Sequence, residues 1–145
     1  MKYKGSNFEY KQERAEDLMR AYHQLINDSS DIHILHIYRQ VVNMPASRFW
    51  ISEERAAIVI GAMVRGKKNV GINATKAEMY NEIYRRAKQL MDSNPKLTIQ
   101  DVVSIVVMQP APKFYISSSS AKAIIQKAKK KWYEQRKKKL KHLFY

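Results

Sequence analysis

The feature that most restricts how this chain folds is an internal duplication. When residues 18–60 are shifted forward by 65 positions without a gap, thirteen of them fall on identical residues. The identical pairs are Arg20/Arg85, Gln24/Gln89, Leu25/Leu90, Ile34/Ile99, Val41/Val106, Val42/Val107, Pro45/Pro110, Ala46/Ala111, Phe49/Phe114, Ile51/Ile116, Ser52/Ser117, Ala56/Ala121 and Ile60/Ile125. Two copies of one small structural unit are therefore predicted, and a surface that one copy presents is presented again by the other.

Each copy is predicted to begin with an amphipathic helix. The segments Ser6–Glu9 and Thr75–Glu78 have the spacing of a capping box, in which a hydroxyl and a carboxylate satisfy free backbone amides at a helix start. Apolar residues recur behind both segments at spacings of three and four. The helices are expected to stop at the turn-rich segments 27–30 and 92–95.

A second helix is predicted in each copy, and it is clearest where Thr98 can cap and Asp101 stands in the first turn. The apolar residues that follow are spaced as one stripe on a helix. They are Ile99, Val102, Val103, Val106 and Val107, matched by Ile34, Ile37, Tyr38, Val41 and Val42. Many are β-branched, so a strand is an alternative, but the cap and the stripe favour a helix. It must end before Pro45 or Pro110.

The most similar string in the two copies is P-A-x-[RK]-F-[WY]-I-S, at residues 45–52 and 110–117. It is predicted to be an extended connector whose final serine caps a third helix. The buried side of that helix is expected to be formed by Ala56, Ile60, Met63 and Val64 in copy one, and by Ala121, Ile124, Ile125 and Ala128 in copy two. Residues 65–73 join the copies, and Gly66 and Gly71 are placed to stop a helix.

These patterns predict an all-α protein with two tandem three-helix, helix-turn-helix-like repeats and an extended basic C-terminal helix. The expected boundaries are 1–66 for the first repeat, 67–74 for a basic, glycine-containing linker, 75–128 for the second repeat and 129–145 for a basic helical tail. A unit this small is marginal alone, so the repeats are expected to pack as one body. The connector is longer than the turn of a simple helix-turn-helix.

Composition indicates a polyanionic partner. The chain combines a hydrophobic fraction of 45% with a net charge of +14 and a pI near 10.0, which favours a folded protein that binds nucleic acid first and an anionic membrane surface second. The absence of cysteine excludes disulfides, thiol catalysis and cysteine-based zinc sites. No signal peptide or membrane-spanning run is found, so a cytoplasmic or virion-associated protein is expected.

Much of the excess charge lies near the C-terminus, where cations are interleaved with aromatic residues and Glu134 is the sole acid. Such cations neutralise phosphates and release condensed counterions, while Trp132 or Tyr133 can stack or anchor. The structural alternative is a solvated terminus whose aromatic residues pack on the bundle. The predicted nucleic-acid-binding residues here are Lys122, Lys127, Lys129, Lys130, Lys131, Trp132, Arg136, Lys137, Lys138 and Lys139.

Each connector places a cation, Arg48 or Lys113, beside aromatic residues and just before a helix. This arrangement suits a phosphate clamp, because the helix N-terminus also attracts anions. The alternative is structural, with the apolar neighbours filling the core and the cation covering them. Both interpretations are kept open.

The third helices of the two copies begin differently. Copy one begins with Glu53 and Glu54, which repel phosphate, whereas copy two begins with Ser118, Ser119 and Ser120. If one copy inserts a helix into a groove, copy two is therefore the better candidate, and its three serines are expected near a groove or phosphates. Copy one is then a candidate dimerisation or partner-binding unit.

Catalytic signals are poor. His33 and His36 are three residues apart, but no further ligand completes a metal-binding spacing. Asp31, Asp92 and Asp101 lie at predicted helix starts, where capping accounts for them. No glycine-rich phosphate loop or nucleophile elbow is present. We therefore expect no enzyme, no metal, no cofactor and no small-molecule substrate.

The P-A-x-[RK]-F-[WY]-I-S string resembles one in small, uncharacterised helical proteins of bacteriophages and mobile elements. In those proteins the string precedes a helix that has an alanine a few residues after its start. The resemblance covers about a dozen residues per copy. It implies a phage or mobile-element setting and identifies no activity.

The leading hypothesis is a nucleic-acid-binding protein, with double-stranded DNA preferred over RNA, that acts as a phage or mobile-element regulator or packaging factor. The alternative is a structural or assembly protein, such as a virion component, that forms homo-oligomers through its helical repeats and contacts nucleic acid with its tail. A membrane-surface tail ranks last and is not expected, because Trp132, Leu140 and Leu143 do not form an evident wide apolar face.

Overall fold

The computed structural model describes residues 4–28, 36–68 and 71–144, and in these ranges the chain forms six helices and no strand. The helices are α1 (Lys4–Asp28), α2 (Ile37–Val42), α3 (Glu53–Val64), α4 (Ala74–Ser93), α5 (Ile99–Val107) and α6 (Ser118–Phe144). The prediction of an all-α protein is confirmed. Within the described ranges, no helix is both long and apolar enough to cross a membrane.

The chain divides into two compact units that are not the two predicted repeats. Unit 1 combines Met1–Val42 with Ser117–Tyr145, and unit 2 is Asn43–Ile116. In unit 1, α6 packs on α1 and α2, and in unit 2, α3 packs on α4 and α5. Each unit therefore takes two helices from one predicted repeat and its third helix from the other. Periodicity shows which face of a helix is buried, but it does not show which helix covers that face.

Unit 1 has a small apolar core. Leu18 and Ala21 of α1, Val41 of α2 and Ile125 of α6 are fully buried. Beside them the ring of Tyr22 stacks on that of Tyr38, with 6.4 Å between centroids. Because the described part of α6 buries residues only in its first half, this core covers half of the helix.

Unit 2 has a larger core that contains apolar residues of both connectors. Its buried side chains include Ala46, Phe49, Trp50, Ile51, Ala56, Ile60, Met79, Tyr80, Ile83, Ala87, Val102, Val103, Val106, Val107, Ala111, Phe114 and Tyr115. The predicted stripe of α5 is confirmed, because its four valines are buried and Ile99 is half-buried. One expected core position is wrong: Val64, at the end of α3, is exposed.

Several helix ends agree with the sequence. Ser52 caps α3 by accepting the Arg55 N–H at 3.1 Å. Thr98 and Asp101 form a complete capping box on α5. Both second helices end before their prolines. Gly66 follows α3 with a φ of 85° and donates its N–H to the Met63 carbonyl, as in a Schellman motif.

Three predictions about helix starts are wrong. Asp92 lies in the last turn of α4 and not at a helix start. Helix α4 is capped by Asn73, whose side chain accepts the Lys76 N–H at 2.8 Å, so Thr75 lies inside the helix. Helix α1 already includes Lys4, so Ser6 is not at its start. Asparagine and threonine are both good N-caps, and the backbone geometry decides between them. The predictions that concern Ser29, Ser30, Asp31, His33, Ile34, Asn69 and Val70 lie outside the described residues.

Candidate nucleic-acid interface

Helix α6 carries most of the predicted basic residues. It contains ten Lys and Arg residues and one acid, Glu134. Ser117 caps it by accepting the Ser120 N–H at 3.1 Å, and Ala121 and Ile125 bury its first half. From Lys130 to Leu143 every residue is exposed. This part, called the distal segment (residues 130–143), spans about 20 Å at 1.5 Å per residue.

The lysines of α6 form a broad basic face. At about 100° per residue, Lys130, Lys137 and Lys141 lie within an arc of about 40°. Lys127, Lys131 and Lys138 flank them, and Glu134 lies among them. None of these six lysines forms an ion pair within the part of the chain that the structure describes. Like charges at this spacing repel one another, and a bound polyanion relieves that repulsion.

Trp132 and Tyr133 of α6 do not pack on the rest of unit 1. Trp132 and Tyr133 are 52% and 60% exposed, and their rings meet edge to face at 5.2 Å between centroids. The guanidinium of Arg136 lies 5.1 Å from the centroid of the Trp132 ring. The structure therefore presents an aromatic ring and a cation together at the surface, which is the combination that stacks on nucleic-acid bases.

The other predicted residues of α6 differ in accessibility. Lys122 and Lys127 are exposed. Lys129 is held inside unit 1, because its ammonium group donates to the Tyr22 hydroxyl and lies 4.2 Å from the centre of that ring. Lys129 thus stabilises the helix packing and offers less charge to a ligand than its neighbours do.

Two of the three predicted serines at the start of α6, Ser119 and Ser120, form hydrogen bonds with the capping residue Ser117. The Ser117 hydroxyl contacts those of Ser119 and Ser120 at 3.1 and 2.9 Å. Ser118 is half-buried, while Ser119 and Ser120 are exposed. Their hydroxyls stabilise the first turn and can still accept further hydrogen bonds from a ligand.

Arg48 stabilises the first connector. Its guanidinium donates to the carbonyl oxygens of Phe49 and Ile51, both at 3.0 Å, and lies 5.1 Å from the centroid of the Trp50 ring. These contacts occupy donors that a phosphate clamp would need. The geometry therefore favours the structural alternative for this residue.

Lys113 stabilises the second connector in a different way. It forms an ion pair with Glu78 of α4 and lies 5.7 Å from the centroid of the Tyr115 ring. Tyr115 has a φ of 57°, which is uncommon for an aromatic residue. Burial, with the charges of Glu82 and Glu78, raises the pKa of Tyr115 to about 12. Arg48 and Lys113 belong to unit 2, whereas the other predicted site residues belong to unit 1.

The sequence prediction missed two informative cations. Lys141 shares a face with Lys130 and Lys137, and its spacing of eleven and four residues from them was the available signal. Arg86 connects α4 to the second connector by donating to the Pro110 carbonyl at 2.9 Å, and its guanidinium lies 5.0 Å from the centroid of the Phe49 ring. No sequence signal indicates that contact, because the partners are far apart in the chain.

The acid that orients Arg86 is Glu82. It accepts hydrogen bonds from Arg85 at 2.6 Å and from Arg86 at 2.9 Å. These bonds, that of Arg85 above all, hold the pKa of Glu82 below its usual range, although partial burial opposes the effect. The two arginines are therefore engaged within unit 2.

Among the described residues, no group of three His, Asp or Glu side chains is arranged to hold a metal ion. No protein-family model matches this chain, and no curated protein or solved structure matches it either.

Proposed function

We propose that this chain binds nucleic acid through α6, with double-stranded DNA preferred over RNA. The observation that carries the proposal is the distal segment, where seven Lys and Arg residues and a single acid are all exposed on one helix. A dense array of positive side chains on one helix suits a long, regular polyanion better than a small partner or one of mixed charge.

The residues have distinct proposed roles. Lys130, Lys137 and Lys141 contact phosphates, and Lys122, Lys127, Lys131, Lys138 and Lys139 extend the contact along the helix. Trp132 and Arg136 form an aromatic and cationic anchor. An α-helix fits the major groove of B-DNA, which is about 12 Å wide, so α6 can approach a duplex either there or along one backbone.

We also propose that the chain is a duplication of a three-helix, helix-turn-helix-like unit. Matching burial supports this proposal, because sequence-equivalent residues lie in the core in both copies: Ala46/Ala111, Phe49/Phe114, Trp50/Tyr115, Ala56/Ala121 and Ile60/Ile125. The proposed role is that of a non-enzymatic regulator or packaging factor of a phage or mobile element, acting in the cytoplasm or in a virion. The connector string supports that setting by resemblance alone.

The test is a binding titration of the full chain on a short DNA duplex at several salt concentrations. A protein that makes six to ten phosphate contacts loses about 10³–10⁵ in affinity between 50 and 200 mM salt. Replacing Lys130, Lys137 and Lys141 with Gln should weaken binding and reduce the salt slope by up to about 3, since each phosphate contact contributes about 0.9. Binding that is insensitive to salt would contradict the proposal.

The matched control replaces Lys76, Lys88 and Lys96 with Gln. These lysines are exposed in unit 2, and their loss changes the net charge by the same amount. The control should bind almost as tightly as the wild type. An equal loss in both triple variants would show that net charge, and not α6, determines binding. Competition between duplex DNA and single-stranded RNA then decides which nucleic acid is preferred.

A second candidate function is that of a structural or assembly protein. The exposed apolar residues of the distal segment favour it, because Tyr133 and Leu143 are 60% and 77% exposed. Light scattering of protein free of nucleic acid tests this candidate. A defined high-order oligomer would favour assembly over regulation.

A further inference from the structure

The first half of the chain (residues 1–68) and the second half (residues 69–145) each cover the third helix of the other. Helix α3 of the first half packs on α4 and α5 of the second, and α6 of the second half packs on α1 and α2 of the first. Within the described residues, neither α3 nor α6 packs on the other two helices of its own half. The third helix of each half is therefore covered only when another half supplies the cover.

The two halves make specific side-chain contacts in both units. In unit 1 the ammonium group of Lys129, from the second half, donates to the hydroxyl of Tyr22, from the first. In unit 2 the guanidinium of Arg86, from the second half, lies 5.0 Å from the centroid of the Phe49 ring, from the first. Phe49 is fully buried. A half without a partner would therefore expose parts of both cores.

The backbone contact between the connectors is symmetric. Ala46 and Ala111 are aligned by the 65-residue shift of the sequence, and the N–H of each donates to the carbonyl oxygen of the other at 3.0 Å. A twofold axis produces this pattern in a homodimer, where equivalent residues of the two subunits make identical contacts. Within unit 2 the two connectors therefore meet as two subunits would, although one chain supplies both.

We infer that the surface by which each half binds the other also fits the corresponding half of a second molecule, so that two chains exchange halves and form a closed dimer. The first half of each chain then packs on the second half of the other. Every contact between helices that the monomer makes is formed again, and only the linker between α3 and α4 changes its path. That linker (residues 65–73) reaches about 30 Å when extended, which allows it to cross between two adjacent bodies.

The linker holds the balance between monomer and dimer. Gly66 and Gly71 have φ angles of 85° and 78°, a region that residues with a β-carbon rarely adopt. A β-carbon at either position would meet no atom within 4 Å, so the backbone conformation alone opposes a larger residue there. In the exchanged dimer the linker no longer has to return to the same body. Substitution of these glycines should therefore penalise the monomer more than the dimer.

Refolding of the full chain, free of nucleic acid, tests the inference. The wild type is unfolded in denaturant, refolded at low and at high protein concentration, diluted to one common concentration and measured by sedimentation velocity. High concentration should produce a dimer. The dimer should persist after dilution, because its chains separate only when both units open. A monomer after refolding at every concentration would overturn the inference, and so would a dimer that dissociates at once on dilution.

Glycine variants test the role of the linker. Replacing both Gly66 and Gly71 with Ala should increase the dimer fraction after refolding several-fold. The matched control is Gly61→Ala in α3, where φ is not in the left-handed region and the β-carbon would make an ordinary contact, at 3.6 Å, with Arg65 Nη1. The control should dimerise like the wild type. A double variant that is no more dimeric than the control would overturn the inference.

A disulfide identifies the exchange itself. The chain has no cysteine, so Ala46→Cys and Ala111→Cys each introduce a single thiol. Opposite residues of a hydrogen-bonded antiparallel pair have Cα atoms about 5.5 Å apart, which a disulfide can bridge. When the two variants are refolded together at high concentration and oxidised, a disulfide should join one chain of each kind.

Each single-cysteine variant refolded alone is the control for this cross-link. In its exchanged dimer the introduced cysteine faces an alanine, so no disulfide should form across the bridge. A dimer of the mixed variants that lacks the cross-link would place the interface elsewhere and would overturn the inference.

The inference does not rest on the proposed function, because neither the linker nor the two alanines belong to the proposed nucleic-acid interface. The variant that lacks Lys130, Lys137 and Lys141 should therefore exchange halves like the wild type. Loss of duplex binding in this variant, with the exchange intact, would support both proposals separately. Loss of the exchange in this variant would overturn the inference.

Discussion

Ala46 and Ala111 exchange both of their backbone hydrogen bonds within unit 2. The N–H of each donates to the carbonyl oxygen of the other at 3.0 Å, and both side chains are buried. The two residues are aligned by the 65-residue shift of the sequence, and the bridge between them is antiparallel. The Phe49 N–H donates to the Val107 carbonyl at 3.0 Å nearby. Paired connectors, as well as helix packing, therefore set the geometry of unit 2.

Replacing Phe49 with Ala should strongly destabilise unit 2. Its side chain is fully buried, and it stacks on the ring of Tyr115 with 6.0 Å between centroids. Removing a buried phenyl ring costs about 3–5 kcal/mol in the free energy of unfolding. Urea denaturation measures this loss. Replacing the exposed Ile58 with Ala is the control, which should stay within about 0.5 kcal/mol of the wild type. Similar losses in the two variants would contradict the prediction.

Glu82 should make the stability of unit 2 depend on acidic pH. Its pKa is lowered in the folded chain. Its contribution to the free energy of unfolding is therefore present above the unfolded-state pKa of about 4.5, and it is lost as the pH falls through the folded-state pKa. Replacing Glu82 with Gln should therefore lower the urea midpoint of unfolding at pH 7. At pH 3 the midpoints of the variant and the wild type should differ less.

The control for this prediction replaces Glu54 with Gln. Glu54 is exposed and forms no ion pair with the residues that the structure describes. Its removal should change the urea midpoint little at either pH. A pH dependence that is the same in both variants would show that general charge effects, and not the bonds to Arg85 and Arg86, determine the behaviour.

Cutting the chain between α3 and α4 should not separate its two halves. Unit 1 contains helices from both sides of the cut, and so does unit 2. A specific protease site inserted after Lys68 allows the cut to be made in the folded protein. Size-exclusion chromatography should then show both fragments eluting together, and they should separate in denaturant. Fragments that separate in buffer would contradict the observed helix grouping.

Replacing Glu134 with Gln should tighten nucleic-acid binding. Glu134 is the sole acid of α6 and lies among its lysines, so its removal eliminates a local repulsion toward phosphate. Exposed charge interactions of about 0.3–1 kcal/mol correspond to a gain of about two- to fivefold, which is larger at low salt. The same change at Glu54 in unit 2 is the control. Equal gains in the two variants would show that only the net charge matters.

Local sequence signals predicted much of the fold. The capping box of Thr98 and Asp101, the valine stripe of α5 and the helix ends before proline depend on neighbouring residues, and all were confirmed. The grouping of helices was not predictable, because the apolar faces of α3 and α6 are similar and either could complete either unit. The left-handed backbone of Tyr115 could not be predicted from the sequence either, since the aligned Trp50 does not share it.

Within the candidate site, the exposure of the α6 lysines could be predicted from the sequence, but the contacts of Lys113 could not. Apart from Lys129, the lysines of α6 are exposed, and the sequence indicates this because no apolar residue interrupts the face of Lys130, Lys137 and Lys141. A cation beside an aromatic ring, as at Lys113, fits either a phosphate contact or a structural one. The deciding partner, Glu78, lies 35 residues away in the sequence, and only the folded chain brings it close.

The division of the chain has a consequence for the order in which the protein can fold during synthesis. Unit 2 is one continuous stretch, so it is complete once Ile116 has been made, whereas unit 1 also needs α6, which is made after unit 2. Until then the apolar sides of α1 and α2 have no α6 to cover them. In a nascent chain arrested just before Ser117, unit 2 would thus be complete while unit 1 lacks α6. Chaperones would then bind to the first forty or so residues of the chain.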